Sequence, residues 1–281
     1  VSASFGERLS AVFARSGHLC VGVDPHPYLL EKWALPDSAA GVREFGLRVV
    51  DAAATRAGII KPQVAFFERH GSAGFAALED VLAAARAADL LVIADAKRGD
   101  LGTSVEAYGQ AWLTPGSPLE ADAMTISAFQ GVGSLSAPAT LAAATGKGLF
   151  VLTATSNPES VGIQTAVIAE GEQAGRSVSA SIVAEVNSWN RQPLGDIGVV
   201  IGATVDLGRY GISDSDLAAT PILAPGFGHQ GVGFDALHTV YGSAAHNVVV
   251  SSSRAILDAG PHGIKDVLVT QTSQLAEVFS A

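Results

Sequence analysis

The sequence predicts an α/β protein, a parallel (β/α)8 barrel, on three observations. Short apolar runs alternate with longer segments of helical periodicity, and this happens eight times. The runs are continuous rather than alternating, as in strands covered on both faces. The 31 glycines among 281 residues suit many tight strand-to-helix connections. No shift in composition separates two halves and no fixed-period repeat is present, so residues 1–281 are expected to form one domain. A doubly wound open sheet is the competing architecture.

In chain order, Phe5, Leu9, Val12 and Phe13 lie at helical spacing and predict a helix over about residues 4–16, packed over the barrel bottom. The eight strand runs are Leu19 to Val23, Gly58 to Lys61, Leu90 to Ala94, Ala123 to Ile126, Gly148 to Leu152, Ile197 to Ile201, Pro221 to Ala224 and Asn247 to Val250. Spacings of three and four mark helices between them, as in Phe75, Leu78, Val81, Leu82 and Ala85, or Val178, Ile182, Val186 and Trp189. Thr103-Ser104-Val105-Glu106 has the form of a capping box and predicts Thr103 as the N-cap of the third helix. The region 155–175 is long for a connector and reads as a functional loop with a short helix, or a lid. A last helix from about 263 to 279 should close the ring, and Trp33, Trp112 and Trp189 should pack in helical interfaces.

Composition excludes several classes. A net charge of -10 argues against a protein that coats nucleic acid or a membrane surface, whose binding face would be rich in Lys and Arg. Cys20 is the only cysteine, so no intramolecular disulfide and no cysteine-built metal site can form. The seven histidines are scattered and none has the helical spacing of a zinc site. Glu7 and Arg8 interrupt what would be a signal-peptide core, and no apolar run approaches a membrane span. A soluble cytoplasmic protein is expected.

In such a barrel the working groups come from the carboxyl ends of the strands. Here the runs deliver Asp24, Lys61 to Gln63, Asp95 and Lys97, Ser127, Thr155 to Asn157, Pro225 leading to Gln230, and Ser251 to Arg254 to one rim. Each has an innocent explanation, such as a turn cap for Asp24, yet together they describe a lined pocket.

Ala94-Asp95-Ala96-Lys97-Arg98-Gly99-Asp100 is the densest of these segments. Alone it reads equally as a solvated charged loop or a functional cluster; strand alternation would point Asp95 and Lys97 to one face. With Lys61 from the adjacent strand, an alternating row of Lys61, Asp95, Lys97 and Asp100 could form, keeping both lysines protonated. A fixed ammonium suits proton donation and carbanion stabilisation, whereas Schiff-base chemistry needs the neutral amine. Gly226 to Gly231 fits G-x-G-x-x-G, but no helix start or ribose-binding acid follows it as a dinucleotide site requires. It reads better as a loop whose N–H groups, with Gln230, hold a phosphate. Arg254 then adds a guanidinium fork, and Ser253 opens a helix whose N-terminus favours an anion.

These residues resemble orotidine 5'-phosphate decarboxylases, in their longer bacterial branch. The resemblance runs from about residue 19 to 257 through Val-Gly-Val-Asp-Pro at 21–25, Lys-Pro-Gln-Val-Ala-Phe-Phe-Glu at 61–68, Ala-Asp-Ala-Lys-Arg-Gly-Asp at 94–100 and Thr-Ser-Asn-Pro at 155–158. It implies decarboxylation of orotidine 5'-monophosphate to UMP and CO2 by a homodimer, with no metal or organic cofactor. Lys97 would protonate C6 and Asp95 would lie against the substrate carboxylate. Lys61 would bridge Asp95 and the ribose, and Asp100 would reach the ribose in the neighbouring subunit. Asp24 would bind a ribose hydroxyl, Ser156 the pyrimidine edge, and Gln230 with Arg254 the phosphate, between Pro225 and Ser253.

Two positions depart from the family pattern. Ser127-Ala128-Phe129 stands where the branch usually has Asn or Ser followed by Pro-Tyr. Ser104 replaces a usual threonine and retains its hydroxyl for a substrate contact. Two other readings remain: a metal-dependent sugar-phosphate decarboxylase or synthase of the same broader group, in which an acid stands where this chain has Lys61, and a non-catalytic nucleotide-binding barrel.

Overall fold

The structure, a computed structural model, describes residues 3–190, 193–228 and 231–280. Among these residues the strands are β1 (Leu19–Val23), β2 (Ile59–Pro62), β3 (Leu91–Arg98), β4 (Ala123–Ser127), β5 (Gly148–Ala154), β6 (Ile197–Ile201), β7 (Ile222–Pro225) and β8 (Val248–Ser252). They are parallel and paired in sequence order, and β8 pairs with β1, with Leu19 opposite Val250 and Val21 opposite Ser252. That pairing closes the ring and rules out the open sheet.

Two apolar layers follow from the alternation of each strand. Val21, Ile60, Val92, Ala94, Met124 and Val250 face outward and meet the helices, including Ala39–Ala53, Gly71–Ala87 and Gly260–Ser280. Cys20, Ile59, Ile93, Ala123, Phe150, Val200, Leu223 and Val249 fill the barrel. Trp33 and Trp112 are buried in the outer layer, where the indole of Trp33 donates to the Leu257 carbonyl at 3.0 Å.

The helix Phe5–Ser16 plugs the bottom of the barrel, as its periodicity predicts. Ser4 and Glu7 form a capping box that fixes its start. Phe5, Leu9 and Val12 join the interior layer, and the Phe5 ring stands edge-on to Phe150 with centroids 5.9 Å apart. Each such side chain is worth about 1.5–3 kcal/mol in burial. Gly6 is required here, because a Cβ would come 2.0 Å from the Leu194 carbonyl oxygen. Polar groups complete the seal: Gly6 N donates to Asp196, Arg8 to Asp122 at 2.7 Å, and Lys147 bridges Glu120 and Asp122.

One local expectation fails. The helix after β3 is Gly102–Leu113, its N-cap is Leu101, and no side chain caps it. Thr103 is therefore inside the first turn, and the Glu106 carboxylate accepts from Gln110 instead of reaching back. In the 155–175 region Pro158–Ser160 and Val161–Gln164 form single turns, tied down by Gln164 bonding Thr155 through both its amide atoms. Among the described residues no helix is long and apolar enough to cross a membrane.

Candidate active site

The site is built at the carboxyl ends of β1, β2, β3 and β8. At the end of β2, Lys61 Nζ lies 2.8 Å from Asp95 Oδ2, both side chains under a tenth exposed. Lys97 Nζ lies 2.5 Å from Asp95 Oδ1 on the open side, with its side chain 45% exposed. One carboxylate is thus clamped between two ammonium groups, one sealed in and one open to solvent.

The electrostatics follow from that clamp. Burial alone would raise the Asp95 carboxyl, but Lys61 and then Lys97 outweigh it and hold it well below the usual carboxylate range. Burial would likewise strip Lys61 of its proton, yet Asp95 and then Asp24 hold it above the ordinary lysine value. Cys20, beneath them in the barrel, has its thiol pushed up to about 12, first by burial, and stays protonated.

The backbone of β3 is irregular where it presents these groups. Its register against β4 shifts between Ala94 and Arg98, and Lys97 adopts φ 48°, a left-handed conformation unusual for a residue with a side chain. Asp95 and Lys97 do meet on one side of the strand. They do so through a bulge, not through the simple alternation expected from the sequence. Arg98 turns away to Glu68 at 2.9 Å and to the Ala96 carbonyl.

The expected four-charge row is only three charges long within this chain. Asp100 lies beyond Gly99, and its Oδ1 accepts from the backbone N–H of Leu101. Gly99 permits the turn, since a Cβ there would meet the Ser127 carbonyl at 2.7 Å. Ser104 is exposed in the first turn of the helix Gly102–Leu113.

Across the barrel mouth, Asp24 follows β1 and accepts a hydrogen bond from the Ser253 hydroxyl. Its other oxygen, Oδ1, is buried without a hydrogen-bond partner among the described residues. Gly22 makes room for Ser253, which a Cβ would approach at 2.6 Å. Arg254 opens a helix of only four residues, Arg254–Leu257, too short to carry much of a dipole. The helix terminus therefore supplies little of the anion preference expected of it. Pro225 ends β7, and Gly226, Gly228 and Gly231 all have positive φ. Gly228 N donates to the Val232 carbonyl at 2.9 Å. Gln230 lies outside the described residues. Ser156 is exposed after β5 and lines a rim cavity of about 460 Å³ with Thr155, Thr204 and Arg209.

The sequence misses one residue at this site, Thr125, and places another, Gln63, at the rim without a role. Thr125, on β4, donates from Oγ1 to Asp95 Oδ1 at 2.8 Å and accepts from Lys97 N at 2.9 Å. Gln63, just past β2, satisfies both its amide atoms when its nitrogen donates to Asp95 Oδ2 and its oxygen accepts from Lys97 Nζ at 3.2 Å. Its position two residues after Lys61 was a usable signal.

Residues 17–263 match the model of the Orotidine 5'-phosphate decarboxylase / HUMPS family. The chain belongs to that family. An orotidine 5'-phosphate decarboxylase of Salinispora tropica is 46% identical, over 92% of this chain and 91% of its own. One from Streptomyces coelicolor is 45% identical over the same shares. Among solved structures, a Streptomyces avermitilis protein provisionally described as an orotidine 5'-phosphate decarboxylase superposes with a TM-score of 0.93 at 42% identity. That match covers 100% of this chain and 97% of the other. Leishmania donovani OMP decarboxylase superposes with a TM-score of 0.79 at 26% identity, covering 99% of both chains.

Proposed function

We propose that the chain, working as one domain in the cytoplasm, decarboxylates orotidine 5'-monophosphate to UMP and CO2 in pyrimidine biosynthesis. The observation that carries this reading is the Asp95 carboxylate held ionised between Lys61 and Lys97 at the ends of β2 and β3. Loss of CO2 leaves an electron pair on C6 of the pyrimidine. A fixed ammonium beside that carbon stabilises the developing charge and then supplies the proton, and Lys97, on the open side, is placed for both. Asp95 cannot relax away from the substrate carboxylate, because two cations grip it. Lys61 holds Asp95 and reaches toward the ribose. Asp24, with its free buried oxygen, accepts a ribose hydroxyl, and Ser156 meets the pyrimidine edge. Gln230 and Arg254, between Pro225 and Ser253, hold the phosphate, and Ser104 adds a hydroxyl.

The working unit in this reading is a homodimer in which Asp100 reaches the partner's ribose. Asp100 lies outside its own chain's charge cluster, and the adjacent Leu101 is 61% exposed, an apolar side chain suited to a contact with a second copy. The metal-dependent alternative suits the site less well, since the Lys61 ammonium occupies the position from which an acid would bind a cation and repels one.

Loss of orotate absorbance on adding the enzyme tests the reaction. The wild type is expected to turn over and Lys97→Ala to be inactive. No turnover by the wild type, or full turnover by Lys97→Ala, would refute the assignment. Mixing inactive Lys97→Ala with inactive Asp100→Asn should restore activity through mixed dimers, and no recovery would remove the shared site.

A further inference from the structure

We propose that Thr125 is a positioning residue for the pair Asp95 and Lys97, its hydroxyl fixing the carboxylate and the Lys97 backbone together. The inference rests on the decarboxylase reading for its kinetic consequence, though not for its geometry. Thr125 is 1% exposed on β4 and faces the barrel interior beside Asp95. The β3–β4 ladder is regular up to Ala94 opposite Met124 and resumes at Arg98 opposite Ile126. Two extra residues of β3 are thus looped out against one continuous stretch of β4, and Lys97, within that loop, has no ladder acceptor on β4. The Thr125 hydroxyl stands in for it, accepting the Lys97 N–H at 2.9 Å.

A hydroxyl has one proton to give, and here it goes to Asp95 Oδ1, the same oxygen that Lys97 Nζ meets. One oxygen atom therefore ties the backbone from which the ammonium springs to the carboxylate the ammonium contacts. It also supports φ 48° at Lys97, a conformation that a bulky side chain adopts only when its surroundings enforce it. Lys61 and Gln63 hold the other carboxylate oxygen from β2. Thr125 alone works from β4, so its loss leaves Asp95 paired while freeing the direction of Lys97.

Thr125→Val removes the hydroxyl at nearly constant shape, and Thr125→Ser keeps it. The valine variant is expected to lose about tenfold to a hundredfold in kcat, the scale of one hydrogen bond to a charged group, with KM changed by less than about threefold. Serine should recover most of the loss. A folded valine variant with wild-type kcat would overturn the proposal, as would a serine variant as slow as valine. A second measurement needs neither turnover nor a variant. The chain has five lysines, so 15N-lysine labelling gives a sparse spectrum in which Lys97 is assignable. Its amide is expected to exchange at least about tenfold more slowly than an unstructured lysine amide. Unprotected exchange would overturn the role of Thr125 whether or not the chain decarboxylates its substrate.

Discussion

Replacing Lys61 with methionine separates the gross strength of the Lys61–Asp95 pair from its net worth. At 2.8 Å, two unit charges attract by about 6 kcal/mol at an effective dielectric near 20. Desolvating each ion costs several kcal/mol, so the pair as a whole contributes little to stability. Removing one partner is different, because it strands the other. Breaking a buried pair typically costs about 3–5 kcal/mol, and Lys97 still holds Asp95, so the lower end, about 3 kcal/mol, is expected. Asp95→Leu strands Lys61 and should cost a similar amount. The double variant strands neither and should return to within about 1 kcal/mol of the wild type. Urea unfolding at pH 7, followed by fluorescence and compared at constant m, reads all four corners of the cycle. Simple addition of the two single losses would refute the argument. So would a cost of Lys61→Met below about 1 kcal/mol. The pH arm has a definite sign. The Asp95 carboxyl is depressed in the fold, so its stabilisation is present above the ordinary carboxylate value of about 3.9 and is lost as pH falls below it. Lys61→Met should shrink that acid loss. Lys61 is raised, so its own contribution is full below about 10.5 and fades at higher pH.

Four further outcomes are expected. His18 is held neutral down to about 4, by burial first and by His246 in addition, despite a hydrogen bond to the Val248 carbonyl. Its contribution is present above about 6.5 and drains away as pH falls to 4, about 3 kcal/mol in all, and His18→Gln should flatten the stability profile in that window. Gly6→Ala should destabilise by about 1–3 kcal/mol, read as a lowered thermal midpoint, because the new Cβ strikes the Leu194 carbonyl and lifts the plug. Arg254→Ala should raise KM by about tenfold to a hundredfold through loss of a charged phosphate contact. With the Lys61 ammonium standing where an acid would bind a cation, EDTA should leave activity unchanged, and both results are read in the orotate assay.

The strands were legible because a parallel barrel buries them on both faces, so Val21, Ile60, Val92 and Val250 lie in unbroken apolar runs. The plug was legible for a related reason, since Phe5, Leu9 and Val12 share one helical face. Less visible was whatever depends on a partner far away in sequence. Thr125 sits in the run Ala123 to Ile126 and looks like an ordinary β-branched strand former. Its role exists only because β3 bulges against it, and no local pattern announces that bulge. For the same reason alternation paired Asp95 with Lys97 correctly while missing how they meet. Thr103 matched a capping box that the structure does not use, because the helix begins two residues earlier and Glu106 finds a partner within it. Gln63 was in plain view beside Lys61, but its two amide contacts require the fold of β3.

The closure of β1 on β8 has a consequence for how the protein is made. The partners that complete the first strand and its neighbours come from the far end of the chain: Val248 for His18, Ser253 for Asp24 and Leu257 for Trp33. A ribosome emits β1 first and its second neighbour last, so through most of synthesis the growing sheet carries an open edge. Asp24 has no hydroxyl to orient it until Ser253 emerges. A message truncated before Val248 therefore yields an unclosed sheet, able to pair with other nascent chains, in place of a slower enzyme.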